Sequence, residues 1–200
     1  MNYRQKRYLN ASFLKQIIDE EISLEFLEEK WNEEKPPSKA FEYGTKVHEY
    51  LLEGIENDLI KRYSDLKPFI DIIPGKREIE LYTALEGVKC KGKIDILGSH
   101  SVMDLKTTSG IKNIDNEDEL NSLIKGLEND AIYKYKYNLQ LAFYELLAGV
   151  ENSSIIFVTK KAKRNDLFLY RMPKLENEKT RILDFLALNK DILQQFFIGG

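Results

Sequence analysis

The sequence predicts an α/β fold in which a central mixed β-sheet is flanked by helices. Apolar residues recur at helical spacing over roughly the first 60 residues. After the Pro74-Gly75 pair the spacing changes to the alternation typical of strands. The chain has 200 residues, 42% apolar and 32% charged, which suits one globular domain. We therefore predict a single domain over residues 1–200, with a helical part at about 1–70 and a sheet-bearing part at about 75–200.

The helical part is predicted to contain two amphipathic helices. Residues 12–34 carry apolar side chains at helical spacing, and Pro36-Pro37 ends that helix. A second helix is predicted at about 38–63, with a serine at its start as the N-cap. His48 shares one face of this helix with apolar residues, so its imidazole is predicted to point into the protein.

The chain beyond Gly75 predicts the sheet and its remaining helices. Three strands come first, at about 77–83, 88–97 and 102–107. Residues 111–130 are polar and acidic, as in a loop or short helix. The remaining elements are a helix at about 132–148, strands at about 154–159 and 167–172, and a helix at about 176–197. This order, α-α-β-β-β-α-β-β-α, is that of a mixed sheet flanked by helices.

The second and third strands form the most informative hairpin of the chain. A turn at 98–101 sets residues whose numbers sum to 199 opposite each other, which pairs Asp95 with Asp104. The same register pairs Lys93 with Lys106. Opposed side chains lie about 4.5–5.5 Å apart at Cβ, where like charges destabilise a sheet, and a divalent cation between the carboxylates would compensate them. A surface hairpin with solvated charges is the alternative, and the pattern alone favours neither.

Further side chains could complete a metal site at this hairpin. Glu78 and Glu80 share one face of the preceding strand, so either could add a carboxylate, although charged positions on an edge strand are equally common. A lone histidine such as His48 is more often a core residue than a ligand. Carboxylates and an imidazole together would suit Mg²⁺ or Mn²⁺. Lys106 could orient or deprotonate an attacking water, neutralise charge on phosphorus, or form a salt bridge to an aspartate.

A run of alternating tyrosines and lysines opens the helix at 132–148. Lys134 and Lys136 stand at its N-terminus, where cationic side chains and free backbone N–H groups favour phosphates. Gln140 and Tyr144 are four residues apart, share one helical face, and could contact a DNA backbone. The alternative is an amphipathic helix with these two residues at the core boundary, which the pattern slightly favours.

Composition excludes several classes of protein. Cys90 is the single cysteine, so the chain alone cannot build a disulfide, a four-cysteine zinc site or an iron–sulfur cluster. No stretch approaches the roughly 18 consecutive apolar residues that span a bilayer, and the first residues lack a signal-peptide core. The net charge of −3 argues against a generally basic nucleic-acid binder. We expect a cytoplasmic protein with no membrane partner.

Taken in order, these segments resemble the PD-(D/E)XK nuclease superfamily, in particular its RecB/RecE-like branch of phage-type recombination exonucleases. The matching segments are Ala11–Leu14, Tyr43–His48, Arg77–Glu80, Gly92–Asp95, Met103–Thr108 and Tyr137–Tyr144. Each segment is a weak match alone, but the ordered set is specific. The resemblance implies the α-β-β-β-α-β core of that family.

The resemblance also implies roles for individual residues. The implied metal ligands are His48, Asp95, Asp104 and the main-chain carbonyl of Leu105. Lys106 would be the catalytic lysine, and Glu78 matches the acidic position of the first core strand better than Glu80. Gln140 and Tyr144 resemble the Q-x-x-x-Y motif that helps to hold the substrate strand.

The function implied by the resemblance is a Mg²⁺-dependent deoxyribonuclease acting on DNA ends in recombination or repair. A lone nuclease domain without a helicase motif resembles phage-type exonucleases, which work beside a single-strand annealing protein in a bacterial or phage-infected cell and can form homo-oligomeric rings. The single cysteine disfavours the iron–sulfur nucleases of CRISPR adaptation and repair. A cluster-less relative of these, a sequence-specific endonuclease and a catalytically silent DNA-binding or assembly module are the alternatives.

Overall fold

The computed structural model describes residues 7–33, 36, 38–108, 117–126, 136–159 and 167–198. The elements within these residues are α1 (Ala11–Ile17), α2 (Leu24–Asn32), α3 (Lys39–Glu53), α4 (Ile60–Tyr63), α5 (Lys67–Asp71), β1 (Lys76–Leu85), β2 (Val88–Leu97), β3 (Ser101–Thr108), α6 (Glu117–Gly126), α7 (Tyr137–Ala148), β4 (Asn152–Thr159), β5 (Leu167–Arg171), α8 (Glu176–Leu188) and α9 (Lys190–Ile198). The predicted class, a mixed sheet with flanking helices, is confirmed.

Three predicted helices are each divided in the structure. The helix predicted at 12–34 is two helices, because Ser23 accepts the backbone N–H of Phe26 and starts α2. The helix predicted at 38–63 stops at Gly54, whose φ of 73° gives α3 a left-handed C-cap, and α4 follows separately. The C-terminal helix is interrupted at Asn189 and continues as α9.

The sheet has the strand order β1-β2-β3-β4-β5. β1 pairs antiparallel with β2, β2 with β3, and β4 with β5, whereas β3 and β4 are parallel. A parallel pair requires a crossover connection, and α7 lies on that crossover. Gly92 lets α7 approach β2 closely, since a Cβ there would lie 2.6 Å from Leu147 Cδ1 and 3.1 Å from Tyr144 Cε1.

Apolar side chains form one core on each face of the sheet. The larger core joins α1, α7, α8 and α9 to one face, and the smaller core joins α3, α4 and α5 to the other. Ile94 and Ile96 are two residues apart on β2 yet belong to different cores. Residues two apart on a regular strand share a face. The side chains of β2 therefore switch from one face of the sheet to the other at Asp95. None of the helices in the described part of the chain has the length and apolar character needed to cross a membrane.

The predicted hairpin register holds over two pairs only. Ile96 pairs with Met103 and Leu97 with Val102, and both pairs sum to 199 as predicted. The ladder does not include the predicted pairing of Asp95 with Asp104, or of Lys93 with Lys106. The physical reason is the change of face of β2 at Asp95, where the ladder with β3 ends.

Candidate active site

A cluster of two carboxylates and an imidazole lies where α3 meets β1 and β2. It consists of His48 on α3, Glu78 on β1 and Asp95 on β2, and one ligand atom from each lies within 4.8 Å of the others. His48 Nδ1 is 3.6 Å from Asp95 Oδ2 and 4.0 Å from Glu78 Oε1. We call these three residues the acid–imidazole cluster.

Glu78 reaches the cluster from an irregular point of β1. Its φ of 52° is in the left-handed region, which is rare for a residue other than glycine. It lies between the Arg77–Ile96 and Ile79–Ile94 pairs, and therefore opposite Asp95, where the ladder is interrupted. Such a backbone costs on the order of 1–3 kcal/mol and persists only where the surrounding structure holds it. The structure thus brings Glu78, and not Glu80, to the cluster, because Glu80 is exposed and accepts a hydrogen bond from Tyr82.

One carboxylate oxygen of the cluster is buried without a partner. Glu78 Oε1 makes no hydrogen bond in the described structure. A buried charged oxygen without a donor costs free energy, so it calls for a bound cation or another donor. This orphaned oxygen lies on the side that faces His48.

The imidazole of His48 is oriented by the backbone of β3. Its Nε2 is 2.7 Å from the carbonyl oxygen of Leu105, and a carbonyl only accepts, so Nε2 carries the proton and donates. When the ring is neutral, its lone pair therefore lies on Nδ1, the nitrogen that faces the two carboxylates. The Leu105 carbonyl, predicted as a metal ligand, therefore orients the histidine in this structure.

Asp95 is buried, with only 8% of its surface exposed. Its Oδ2 accepts a hydrogen bond of 2.7 Å from the backbone N–H of Leu105. Burial and then the negative charge of Asp104 raise the pKa of Asp95 to about 6, although His48 and Lys106 oppose the rise. A bound cation would therefore stabilise the charged form of this buried carboxylate.

Asp104 lies outside the acid–imidazole cluster and contacts α7 instead. It is 2% exposed, its Oδ2 lies 2.5 Å from Lys106 Nζ, and its Oδ1 accepts a hydrogen bond of 2.8 Å from Gln140 Nε2. Gln140 also donates to the hydroxyl of Tyr144 at 3.3 Å. Burial lowers the pKa of Lys106, but the charges of Asp104 and Asp95 outweigh this effect and raise it, so Lys106 is an ammonium.

A second half-buried lysine, which the sequence pattern does not predict, completes this side of the site. Lys15 on α1 donates to Gln140 Oε1 at 3.1 Å. Its ammonium lies 5.7 Å from the centre of the Tyr137 ring, and that of Lys106 lies 5.2 Å from the same centre. Burial, followed by the charge of Lys106, lowers the pKa of Lys15 to about 8. The signal in the sequence is its place on the apolar helix face formed by Ala11 and Leu14.

Lys15→Met is expected to stabilise the protein near pH 7 by on the order of 1–2 kcal/mol. The pKa of about 8 in the folded protein lies below the ordinary value of 10.5, so between these values the unfolded chain binds more protons. Stability therefore rises with pH in that window, and the charged lysine is unfavourable below it. Denaturant unfolding at pH 7 and pH 10 measures the effect, which should shrink at the higher pH. Lys91→Met, at an exposed lysine of β2, is the control; a gain equal at both pH values would contradict the explanation.

The structure describes one of the two lysines predicted to contact phosphate, Lys136. Lys136 is the N-cap of α7, and its ammonium donates to the Lys15 carbonyl at 3.0 Å and to Asp19 Oδ2 at 2.7 Å. It therefore joins α7 to α1 in this structure. The prediction for Lys134 lies outside the described residues.

Comparison with known proteins relates the chain to one family and to several solved structures. Residues 55–194 match the model of a family described as a PDDEXK-like domain of unknown function (DUF3799). This range includes Glu78, Asp95, Asp104, Lys106 and Gln140, whereas His48 and Lys15 precede it. No curated protein matches the chain in sequence.

Solved structures that the chain matches include three described as exonucleases. A candidate exonuclease from Eubacterium rectale has a TM-score of 0.63 and 18% identity, with 99% of this chain and 85% of the other covered. A phage-related exonuclease from Haemophilus somnus 129PT has a TM-score of 0.45 and 16% identity, with 96% and 94% covered. The alkaline exonuclease LHK-Exo from Laribacter hongkongensis has a TM-score of 0.48 and 10% identity, with 96% and 92% covered. At 18% identity, the similarity to the Eubacterium rectale protein shows a shared fold.

Proposed function

Because this chain belongs to the family of PDDEXK-like domains of unknown function (DUF3799), we propose that it is a divalent-metal-dependent deoxyribonuclease. The observation that carries the proposal is the acid–imidazole cluster beside the Asp104–Lys106 ion pair. A cation site next to a fixed ammonium suits the attack of water on a phosphodiester, in which negative charge develops on phosphorus oxygens. Family membership supports the sequence-based prediction of a nuclease.

The side chains of the cluster fit Mg²⁺ or Mn²⁺. They offer carboxylate oxygens and a neutral imidazole nitrogen, which both ions accept. The orphaned Glu78 Oε1 supports the fit, since a cation would give this buried oxygen its missing partner. We propose His48, Glu78 and Asp95 as the residues that hold the ion, with Leu105 orienting His48 and Asp104 adjoining them. When bound, the ion would lower the pKa of a water molecule and balance charge on the phosphate.

Lys106 then acts through its charge. As an ammonium with a raised pKa it has no lone pair with which to accept a proton, so it cannot be the general base in this state. Its donors instead suit an attacking water held in position and the negative charge that develops on the phosphate. Asp104 Oδ2 pairs with the ammonium of Lys106, and Gln140 donates a hydrogen bond to Oδ1 of the same carboxylate. Gln140 and Tyr144 would contribute to binding the substrate strand from this position.

Within the nucleases, we propose an exonuclease that acts from DNA ends in recombination or repair, with residues 1–200 forming one catalytic domain. The resemblance to the RecB/RecE-like branch supports this form. It also supports a single-strand annealing protein and further copies of the chain as partners, and the cytoplasm of a bacterial or phage-infected cell as the location.

Incubation with end-labelled linear, nicked and closed circular DNA tests the proposal. In Mg²⁺ we expect the linear DNA to be degraded from its ends, the closed circle to stay intact, and a chelator to stop the reaction. Asp104→Asn, which removes the charge that fixes Lys106, is expected to slow cleavage by about 100-fold or more. Cleavage of the closed circle would favour an endonuclease. Undiminished digestion by Asp104→Asn would rule the assignment out, and no digestion together with no divalent-ion binding would favour a silent DNA-binding module.

A further inference from the structure

Lys93 is a cation in direct contact with the acid–imidazole cluster. It lies on β2 two residues before Asp95, and its ammonium forms an ion pair with Glu78 Oε2. The same ammonium is 3.8 Å from Oε1 of Glu53, the last residue of α3. The Lys93 side chain is 52% exposed, whereas that of Glu78 is 13% exposed. One oxygen of Glu78 thus faces His48, and the other faces Lys93.

The position of Lys93 limits where divalent ions can bind. Glu53 and Glu78 would form a second pair of carboxylates beside the cluster, but Lys93 already lies against both. A second divalent ion on Glu78 Oε2 would have to displace this ammonium or share one oxygen with it. Sharing would hold two like charges about 4 Å apart, where they repel each other, and displacement would break the ion pair of Lys93 with Glu78.

We propose that Lys93 takes the place of a second metal ion, so that the site binds one divalent ion, between His48, Glu78 Oε1 and Asp95. The inference rests on the proposed function, because it assumes that the cluster binds a divalent cation. It goes beyond that function by assigning a number of ions to the site and a positioning role to a lysine. Outside the cluster, Lys106 forms a similar ion pair with Asp104.

The stoichiometry of Mn²⁺ binding tests the inference without any nuclease assay. The full chain is titrated with Mn²⁺ in the absence of nucleic acid, and free Mn²⁺ is measured by electron paramagnetic resonance. We expect one ion per chain for the unaltered protein. Lys93→Met is expected to bind a second ion and to bind the first about tenfold more tightly, since it removes a positive charge from Glu78. Lys93→Arg keeps the charge and should retain one ion, as should Lys91→Met, the control on the same strand.

The possible outcomes separate the inference from the function on which it rests. Two ions bound to the unaltered protein would overturn the role of Lys93 and leave a metal-dependent nuclease intact. One ion in Lys93→Met at unchanged affinity would overturn that role as well. No ion in the unaltered protein would overturn both proposals. The unaltered protein and Lys93→Arg keep the experiment decisive if Lys93→Met does not fold.

Discussion

Lys106→Gln is expected to lower the rate of DNA cleavage by about 100- to 1000-fold while leaving Mn²⁺ affinity within about threefold. The ammonium of Lys106 lies 2.5 Å from Asp104 Oδ2 and does not belong to the acid–imidazole cluster. Its removal should therefore affect charge stabilisation during the reaction and spare the metal ligands. Glutamine is preferred to an apolar residue because its amide can donate to Asp104, which is 2% exposed and would otherwise be a buried, unpaired charge.

Single-turnover cleavage of end-labelled linear DNA and Mn²⁺ titration measure the two effects of Lys106→Gln separately. Lys91→Gln is the matched control for the loss of one lysine on the sheet, and circular dichroism confirms that both variants fold. If cleavage and Mn²⁺ affinity fell in parallel, Lys106 would act by supporting the metal site, and the role proposed for its charge would be wrong.

Asp95→Asn is expected to lower both properties, with Mn²⁺ affinity reduced by about 100-fold and cleavage abolished, because one carboxylate oxygen and the negative charge are lost. The metal-free variant should nevertheless be more stable than the unaltered protein at pH 7, by on the order of 1–3 kcal/mol. The pKa of Asp95 is about 6 in the folded protein, against an ordinary value of 3.8. The folded state therefore binds more protons between these values, and stability falls as the pH rises through them.

Thermal unfolding with and without Mn²⁺ measures both parts of the Asp95→Asn prediction. The unaltered protein should gain stability from Mn²⁺ through ligand linkage, whereas the variant should start from a higher midpoint and gain little. The amide oxygen of asparagine can still accept the Leu105 N–H, so the hydrogen bond to β3 is retained. A variant that loses stability without metal and still responds to Mn²⁺ would show that Asp95 is a structural residue.

Periodicity in the sequence was sufficient to predict the sheet and the positions of its strands. The change of pattern after Pro74-Gly75 and the turn near Gly98 are local signals, and they correctly predicted β1, β2 and β3. The helix ends at Ser23 and Gly54 are also set by local residues. Apolar residues continue at helical spacing on both sides of each position, so periodicity predicts one continuous helix there. Capping at Ser23 and the left-handed backbone of Gly54 decide where the helices end.

The geometry of the site was less accessible to sequence analysis. A rule of strict alternation cannot predict the left-handed backbone of Glu78 or the change of face at Asp95. Strict alternation therefore predicts Asp95 opposite Asp104. In the structure Asp95 lies beside His48 of α3, whereas Asp104 contacts Gln140 of α7. Lys15 was missed because its partner Gln140 lies 125 residues away along the chain. Contacts over such separations depend on tertiary structure rather than on local pattern.

The two cores of the sheet divide the proposed active site between them. His48 belongs to the helices of the smaller core, whereas Gln140 and Lys15 belong to those of the larger core. A chain that has assembled only one of these layers has either the imidazole or the lysine–glutamine side, but never both. Under the proposed function, cleavage is therefore expected only after both layers of helices have packed on the sheet.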